Sequence, residues 1–179
     1  WYLRNLAVLG AVSLLLLVQF LLCPLVLVVL LRVTAPYGRH HQAGWGPNLP
    51  NRAAWVLMEL PALLVITTLV LMSPVRSQPQ AWLPLCFWVF HYGYRTFLFP
   101  ALMRPSDKTF PALLVIFAIA FNVLNGYNNA AALIDAGNNE TSLLTLHFLL
   151  GAVIFLAGFA IHYHADRTIR RLRKPGEKA

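Results

Sequence analysis

Five long apolar segments dominate the chain, and short polar segments separate them. They cover residues 5–31, 53–73, 80–103, 110–134 and 143–164. Because about 20 consecutive apolar residues cross a bilayer as an α-helix, the pattern predicts an all-α, polytopic membrane helix bundle with five spans. Pro24 and Pro61 are expected to kink the first two spans. No long polar linker divides residues 1–179, so a single transmembrane domain is predicted.

The composition agrees with a membrane protein. Hydrophobic residues make up 59% of the chain and charged residues 11%, with a mean hydropathy of +0.64. Soluble domains carry roughly 25% charged residues. The two cysteines, Cys23 and Cys86, lie within apolar segments, and their spacing makes no metal motif. No metal site is therefore expected.

The net charge of +8 is distributed unevenly. Eleven of the 14 basic residues fall in the segments 32–52 and 104–109 and in the stretch 165–179. By the positive-inside rule these segments are cytoplasmic, so the N-terminus faces out and 165–179 forms a cytoplasmic basic tail. The basic residues do not surround aromatic platforms, so nucleic acid is not expected as a partner.

Glu59 lies inside the second apolar segment, close to Pro61. An ionisable residue in hydrocarbon is costly, usually faces a protein-lined cavity and marks a functional site. Two interpretations remain open. The carboxylate can pair with a buried arginine such as Arg95 in a purely structural role, or an apolar pocket can keep the carboxyl protonated, so that it donates a hydrogen bond to a substrate oxygen.

The third apolar segment contains a dense polar group at positions 91–96. On a helix His91 and Arg95 share one face, and Tyr92 and Thr96 share another. A single Tyr near a span end is typical of an interfacial anchor. Five polar groups near mid-span instead indicate a functional site, where a buried Tyr hydroxyl can be a general acid or an oxyanion donor.

Asparagines form a stripe on the fourth segment. Asn122, Asn125 and Asn129 stand at i, i+3 and i+7. Amide hydrogen bonding between membrane helices accounts for this pattern as well as ligand binding does. Both interpretations stay open.

A last stripe runs from the fifth segment into the basic tail. His162, Asp166, Arg170 and Arg173 stand at i, i+4, i+8 and i+11. A lipid-surface anchor would need only Lys and Arg, and a metal site on His162 and Asp166 lacks a third ligand at helical spacing. An anionic cofactor is favoured, because arginines bind phosphates and Asp166 can accept from a ribose hydroxyl or an amide. No GxGxxG or Walker A motif is present.

Short motifs occur at Ala35–His40, Arg52–Trp55, Glu59–Pro61, Phe90–Tyr92, Tyr94–Phe97, Asn125–Tyr127 and Leu172–Glu177. Among them, LRKPGE together with HYxxRTF and ELP is the most specific combination. In the order and spacing of these motifs the chain resembles the membrane steroid 5α-reductase family.

The resemblance implies a seven-helix enzyme that uses NADPH to reduce the C4–C5 double bond of 3-oxo-Δ4 steroids, with hydride to C5 and a proton to C4. Glu59 and Tyr92 would be catalytic and would bind the ketone, and Trp55 and Met58 would also bind the substrate. The residues implied to bind the cofactor are Arg95, Asn125, Tyr127, His162, His164, Asp166, Arg170 and Arg173.

The chain departs from the family pattern in three respects. Met58 stands where a Gln often precedes the glutamate, and His162 stands where an Asn is usual. The family continues past the position of Ala179 with a Gly-rich loop and two further helices, so this chain is expected to hold five of seven spans and to lack the C-terminal part of the domain.

The compact loops and the lack of a retention signal for the endoplasmic reticulum suggest a bacterial homologue in the inner membrane; a eukaryotic one would lie in the endoplasmic reticulum. The expected partners are a steroid and membrane lipid, and a monomer is expected. Alternative functions are a trans-2-enoyl-CoA reductase, a membrane methyltransferase relative, or a non-catalytic sterol- or lipid-binding protein. Glu59 and the group at 91–96 favour catalysis, because a protein that only binds lipid needs no buried acid.

Overall fold

Long helices account for nearly all of the fold. A computed structural model describes residues 2–37, 40, 42, 44–103, 108–139 and 142–172, with side chains from residue 14 onward. A π-helical turn, Tyr94–Leu98, joins α3 to α4. The α-helices are α1 (Tyr2–Leu30), α2 (Asn51–Met72), α3 (Pro79–Gly93), α4 (Phe99–Leu102), α5 (Ala112–Asn138) and α6 (Leu146–Leu172).

The predicted all-α membrane bundle is confirmed. Among the described residues, α2, α5 and α6 are each long and apolar enough to cross a bilayer, and residues 14–30 of α1 form a shorter apolar helix. Both α1 and α2 continue through their prolines, Pro24 and Pro61. Two helices extend beyond the apolar spans predicted for them. Helix α5 ends at Asn138, and α6 continues through the basic residues to Leu172.

Helices α2 and α5 form the closest pair in the bundle. Gly126 lies against Val65, and Gly137 lies against Val75 just beyond the end of α2. The residue numbers of the contacting positions increase in the same direction along both helices, so α2 and α5 run parallel. Small residues at such contacts let two membrane helices approach closely.

The pair is supported by two groups of buried side chains. One lies between the second half of α2, the start of α3 and α5, and the other joins the first halves of α2 and α5. The first group is Ile66, Val70, Val75, Ala81, Leu85 and Ala130. The second is Ala54, Met58 and Val115.

Two short antiparallel strands place the starts of α2 and α5 side by side. Strand β1 (Asn48–Pro50) pairs with β2 (Thr109–Pro111), and Leu49 faces Phe110. Each strand ends in a proline that directly precedes its helix. The first two backbone N–H groups of α5 bond to the carbonyls of Pro47 and Trp45 in the preceding loop, at 2.8 and 3.2 Å. These bonds satisfy two of the donors that a helix leaves unpaired at its N-terminus.

Helix α6 stands apart from the rest of the bundle. None of its described residues is buried. Long side chains bridge the gap to α3: Phe155 contacts Phe87 with ring centroids 5.1 Å apart, and Phe159 contacts Phe90 at 4.4 Å. The space left between the helices forms a cavity.

Candidate active site

The Glu59 carboxylate binds Arg95 inside the bundle. Glu59 is 8% exposed, and the Arg95 Nε and Nη2 donate to the same oxygen, Oε1, at 3.1 and 2.5 Å. One turn earlier on α2, the Trp55 ring lies 4.4 Å from the guanidinium carbon. Since residues i and i+4 share a helix face, Trp55 and Glu59 together hold the guanidinium.

The π-helical turn sends two consecutive side chains to different helices. Pro100 has no N–H, so it cannot make the bond to Thr96 that an α-helix would require. The Phe99 N–H bonds instead to the carbonyl of Tyr94, five residues back. Arg95 reaches α2, while the neighbouring Tyr94 reaches α6. Single π-helical turns of this kind occur frequently at functional sites.

Tyr92 lies between α3 and α5. Its hydroxyl is 3.5 Å from the Asn125 Nδ2, which donates to it, and its ring stacks on Trp88 at 4.7 Å. Asn129 in turn donates to the Asn125 side-chain oxygen at 3.1 Å, which fixes the orientation of the amide. Tyr92 precedes Arg95, the partner of Glu59, by three residues, and Trp88, on which Tyr92 stacks, donates to the Ala62 carbonyl three residues after Glu59. The two residues predicted to bind a ketone therefore lie in the same part of the bundle.

A cavity of about 710 Å³ lies between α3, α5 and α6. This size falls within the range of small-molecule sites, which are mostly apolar with a few placed polar groups. Aromatic side chains and the small residues Gly151 and Gly158 form most of its wall. The polar lining residues are His91, Tyr92, Asn125, His147 and His162.

A second polar cluster ties α6 to the π-helical turn. The Tyr94 hydroxyl donates to the Asp166 Oδ2 at 3.0 Å, and Arg170 Nη1 donates to the Tyr94 oxygen at 3.5 Å. His162 Nε2 lies 3.3 Å from the same Asp166 oxygen. The stripe of His162, Asp166 and Arg170 predicted from the sequence thus meets the π-helical turn, and its first residue, His162, also lines the cavity.

Two asparagines of α5 have structural partners. Asn122 is buried and donates to the Met58 carbonyl of α2 at 2.6 Å. Asn128 donates to Gln19 of α1 at 2.7 Å. Asn122 therefore agrees with the interhelical interpretation of the stripe, while Asn125 lines the cavity and its ligand-binding role stays a prediction.

Several predicted site residues neither line the cavity nor belong to the α6 cluster. Glu59 and Trp55 are among them, and Arg95 contacts both of these α2 residues. Met58 packs with Ala54 and Val115 between α2 and α5. Tyr127 and His164 each follow a site residue by two positions, which turns them about 200° around their helices. Arg173 is outside the described residues.

Sequence reasoning missed the role of Tyr94 in the α6 cluster. It noted Tyr94 only as one of several polar interruptions of the third span. Helical spacing gives no signal for it, because the π-helical turn changes the direction in which Tyr94 and Arg95 point. The proline at position 100 is the one local sign of an irregular turn.

The fold and site define a membrane-embedded helix bundle with a ligand cavity, and comparisons with known proteins identify the family. The family model described as 3-oxo-5-alpha-steroid 4-dehydrogenase matches residues 108–179. The chain is 36% identical over 149 residues, 80% of its length, to "Steroid 5-alpha-reductase DET2" of Gossypium hirsutum. It is 36% identical over 156 residues, 84% of its length, to "3-oxo-5-alpha-steroid 4-dehydrogenase 2" of Rattus norvegicus.

A third relative, "3-oxo-5-alpha-steroid 4-dehydrogenase 1" of Homo sapiens, is 37% identical over 145 residues and 79% of this chain. The matched regions cover 57%, 60% and 55% of the cotton, rat and human proteins. The chain belongs to the 3-oxo-5-alpha-steroid 4-dehydrogenase family, and it spans somewhat more than half the length of these relatives.

Proposed function

We propose that the protein reduces the C4–C5 double bond of 3-oxo-Δ4 steroids with NADPH, delivering hydride to C5 and a proton to C4. Family membership supports the steroid substrate class. The observation that carries the proposal is the position of Tyr92, which lines the cavity and precedes Arg95, the partner of Glu59, by three residues.

Polarisation of the ketone is the central requirement of this reaction. Hydride adds to the far carbon of an enone only when the carbonyl oxygen is stabilised as negative charge develops on it. The Tyr92 hydroxyl is held by the donor Asn125, so its own hydrogen is free to point at a ketone in the cavity. Such a preorganised donor is the principal device for stabilising an oxyanion.

Glu59 is proposed as the second ketone-binding group. Arg95 contacts only Oε1, which leaves Oε2 outside the ion pair. A carboxylate has no hydrogen to donate, so this role requires a proton on Oε2 when the ketone binds. The alternative is that Glu59 stays ionised and positions Arg95. The two roles differ in their response to substitution.

The residues around α6 fit an anionic dinucleotide. Arg170 uses one N–H on Tyr94, which leaves the other donors of its guanidinium for a phosphate. Asp166 can accept from a ribose hydroxyl, and the His162 Nε2 lies 3.3 Å from the same carboxylate without a well-aligned hydrogen bond to it. Bound NADPH would supply the hydride. The residues proposed to hold it are Asn125, His162, Asp166 and Arg170, while Arg95, Tyr127, His164 and Arg173 remain proposals that no described contact supports.

The cavity wall suits an apolar, rigid substrate. Phe87, Trp88, Phe148, Phe155 and Phe159 line it. Burying apolar surface against such a wall stabilises a bound steroid. A steroid packed against this wall would displace water, which otherwise weakens the hydrogen bonds to the ketone and competes for its charge.

The direct test is oxidation of NADPH by the purified protein in the presence of progesterone, followed at 340 nm with product analysis. Substituting Tyr92→Phe should reduce kcat/KM by about 100-fold, the cost of one oxyanion donor. Tyr163→Phe is the matched control, because Tyr163 is half-exposed on α6 and does not line the cavity of Tyr92. Wild-type protein that binds steroid but never consumes NADPH would refute the proposal and favour a non-catalytic binding protein.

Glu59→Gln separates the two roles of Glu59. A glutamine amide still donates to a ketone, so a ketone-binding Glu59 predicts partial activity in Glu59→Gln and none in Glu59→Leu. A positioning Glu59 predicts equal loss in both variants, because both remove the charge that holds Arg95. Full activity in both variants would remove Glu59 from the mechanism.

A further inference from the structure

Tyr94 occupies an unusual position between two charged groups of α6. Asp166 and Arg170 stand at i and i+4, the spacing at which opposite charges on a helix normally pair directly. Among the described residues no direct ion pair joins them. The Tyr94 oxygen lies between the two instead, 3.0 Å from the carboxylate and 3.5 Å from the guanidinium.

The chemistry of the three groups fixes the direction of both hydrogen bonds. A guanidinium only donates and a carboxylate only accepts, whereas a phenol does one of each. The order must therefore run from Arg170 through Tyr94 to Asp166. This arrangement satisfies the buried phenol, which is 6% exposed, and holds the two charges apart.

Packing makes the Tyr94 ring a rigid support for this bridge. The ring contacts Phe99, Phe159, His162 and Tyr163, with centroids 5.5 to 6.4 Å away. Tyr94 also precedes Arg95 on the π-helical turn, so the backbone that holds the Glu59 pair holds the bridge as well. Few other contacts fix α6, since none of its described residues is buried.

We infer that Tyr94 is a positioning residue that keeps Asp166 and Arg170 apart and aimed at an anionic dinucleotide. The inference rests on the proposed function and adds a residue to it. Without the phenol oxygen the two charges can close into a direct pair. A ligand must then break that pair before it can use the carboxylate for a hydroxyl and the guanidinium for a phosphate. Preorganisation of this kind increases affinity by lowering the cost of ordering the site.

The test is NADP⁺ binding to the purified protein, measured by calorimetry and by the ligand-induced shift in melting temperature. Tyr94→Phe keeps the ring and removes the bridge. The expected result is a dissociation constant raised about tenfold, the worth of one charge-assisted hydrogen bond, with steroid binding changed less than twofold. Tyr163→Phe makes the same chemical change on a neighbouring ring and should leave both affinities unchanged.

Two results would overturn the inference while the proposed function stands. The first is Tyr94→Phe protein with the NADP⁺ affinity of Tyr163→Phe. The second is Tyr94→Phe protein that melts more than about 5 °C lower without ligand and loses NADP⁺ and steroid binding equally, which would make the phenol purely structural. Wild-type protein that binds no NADP⁺ would refute the proposed function, and this inference with it.

Discussion

Arg95 directs two N–H groups at one oxygen of Glu59, Oε1, and leaves the second oxygen uncommitted. The side chains are 18% and 11% exposed, so most of the pair is removed from solvent. An ion pair in this setting is costly to break from one side, because a lone charge then remains in an apolar site. The pair also links α2 to the π-helical turn, and so joins the two elements that surround Tyr92.

Removing Arg95 should destabilise the protein more than neutralising Glu59. Arg95→Met leaves an unpaired carboxylate, at an expected cost of about 3 kcal/mol. In Glu59→Gln the unpaired guanidinium still lies on the Trp55 ring and can donate to the glutamine carbonyl oxygen, so a smaller loss is expected. The double variant should recover part of the loss, because the stranded charge is gone. Thermal unfolding in detergent measures all three. Arg32→Met, an exposed arginine after α1, is the control, and equal losses in both single variants would contradict the argument.

Asn125 should tolerate loss of its side chain better than reversal of its polarity. Asn125→Ala removes a donor from the Tyr92 oxygen, and about tenfold lower kcat/KM is expected. Asn125→Asp puts an acceptor there, which competes with the ketone for the phenol hydrogen, so about 100-fold is expected. Asn139→Asp, at the exposed end of α5, is the matched control. Equal activity of the two Asn125 variants would show that the 3.5 Å contact does not orient the phenol.

Gly137 should not accept a methyl group. A Cβ at this position would lie 2.8 Å from the Val75 Cβ, and a β-branched side chain has little freedom to retreat. Gly137→Ala should therefore cost about 1–3 kcal/mol of stability. Gly158→Ala is the internal comparison, because no atom lies within 4 Å of that Cβ. There the better helix propensity of alanine should give a small gain, up to about 1 kcal/mol. Similar melting temperatures for both variants would refute the close contact.

The Trp88 indole should contribute to stability through one hydrogen bond. Its Nε1 donates to the Ala62 carbonyl, one residue after Pro61, at 2.9 Å. Trp88→Phe keeps a ring to stack on Tyr92 and loses the bond, so about 1 kcal/mol is expected. Trp82→Phe changes the half-exposed tryptophan of the same helix and should have little effect. A melting temperature equal to that of Trp82→Phe would mean that the bond has no net value.

Hydropathy predicts which segments form helices, but it predicts the ends of those helices less accurately. The second span was predicted at 53–73 and α2 runs from Asn51 to Met72. Helix α6 extends eight residues beyond the end of its predicted span, 143–164, because its basic final turns remain helical outside the apolar stretch. Length and apolar composition determine where a helix crosses a membrane, while hydrogen bonding to the next turn determines where it stops.

The site was predicted by residue type more successfully than by contact. Glu59, Tyr92, Asn125 and the α6 stripe were all chosen because polar groups in apolar segments are costly. Their catalytic and binding roles remain predictions. The ion pair of Glu59 with Arg95 is one of the two interpretations that the sequence left open for Glu59. The cofactor role of Arg95 comes from the family resemblance and remains a prediction. The π-helical turn, which a periodicity of 3.6 residues does not represent, could not be predicted.

Helices α2 and α5 hold most of the packing, while α6 carries three of the four residues proposed to hold the cofactor and has no buried residue among those described. Substitutions in different helices are therefore expected to cost different amounts of stability. Changes along the seam of α2 and α5 affect folding directly, whereas many changes on α6 leave the folded state intact. Substitutions on α6 can therefore change the ligand preference of the protein at little cost in stability, so no stabilising substitution elsewhere is needed first.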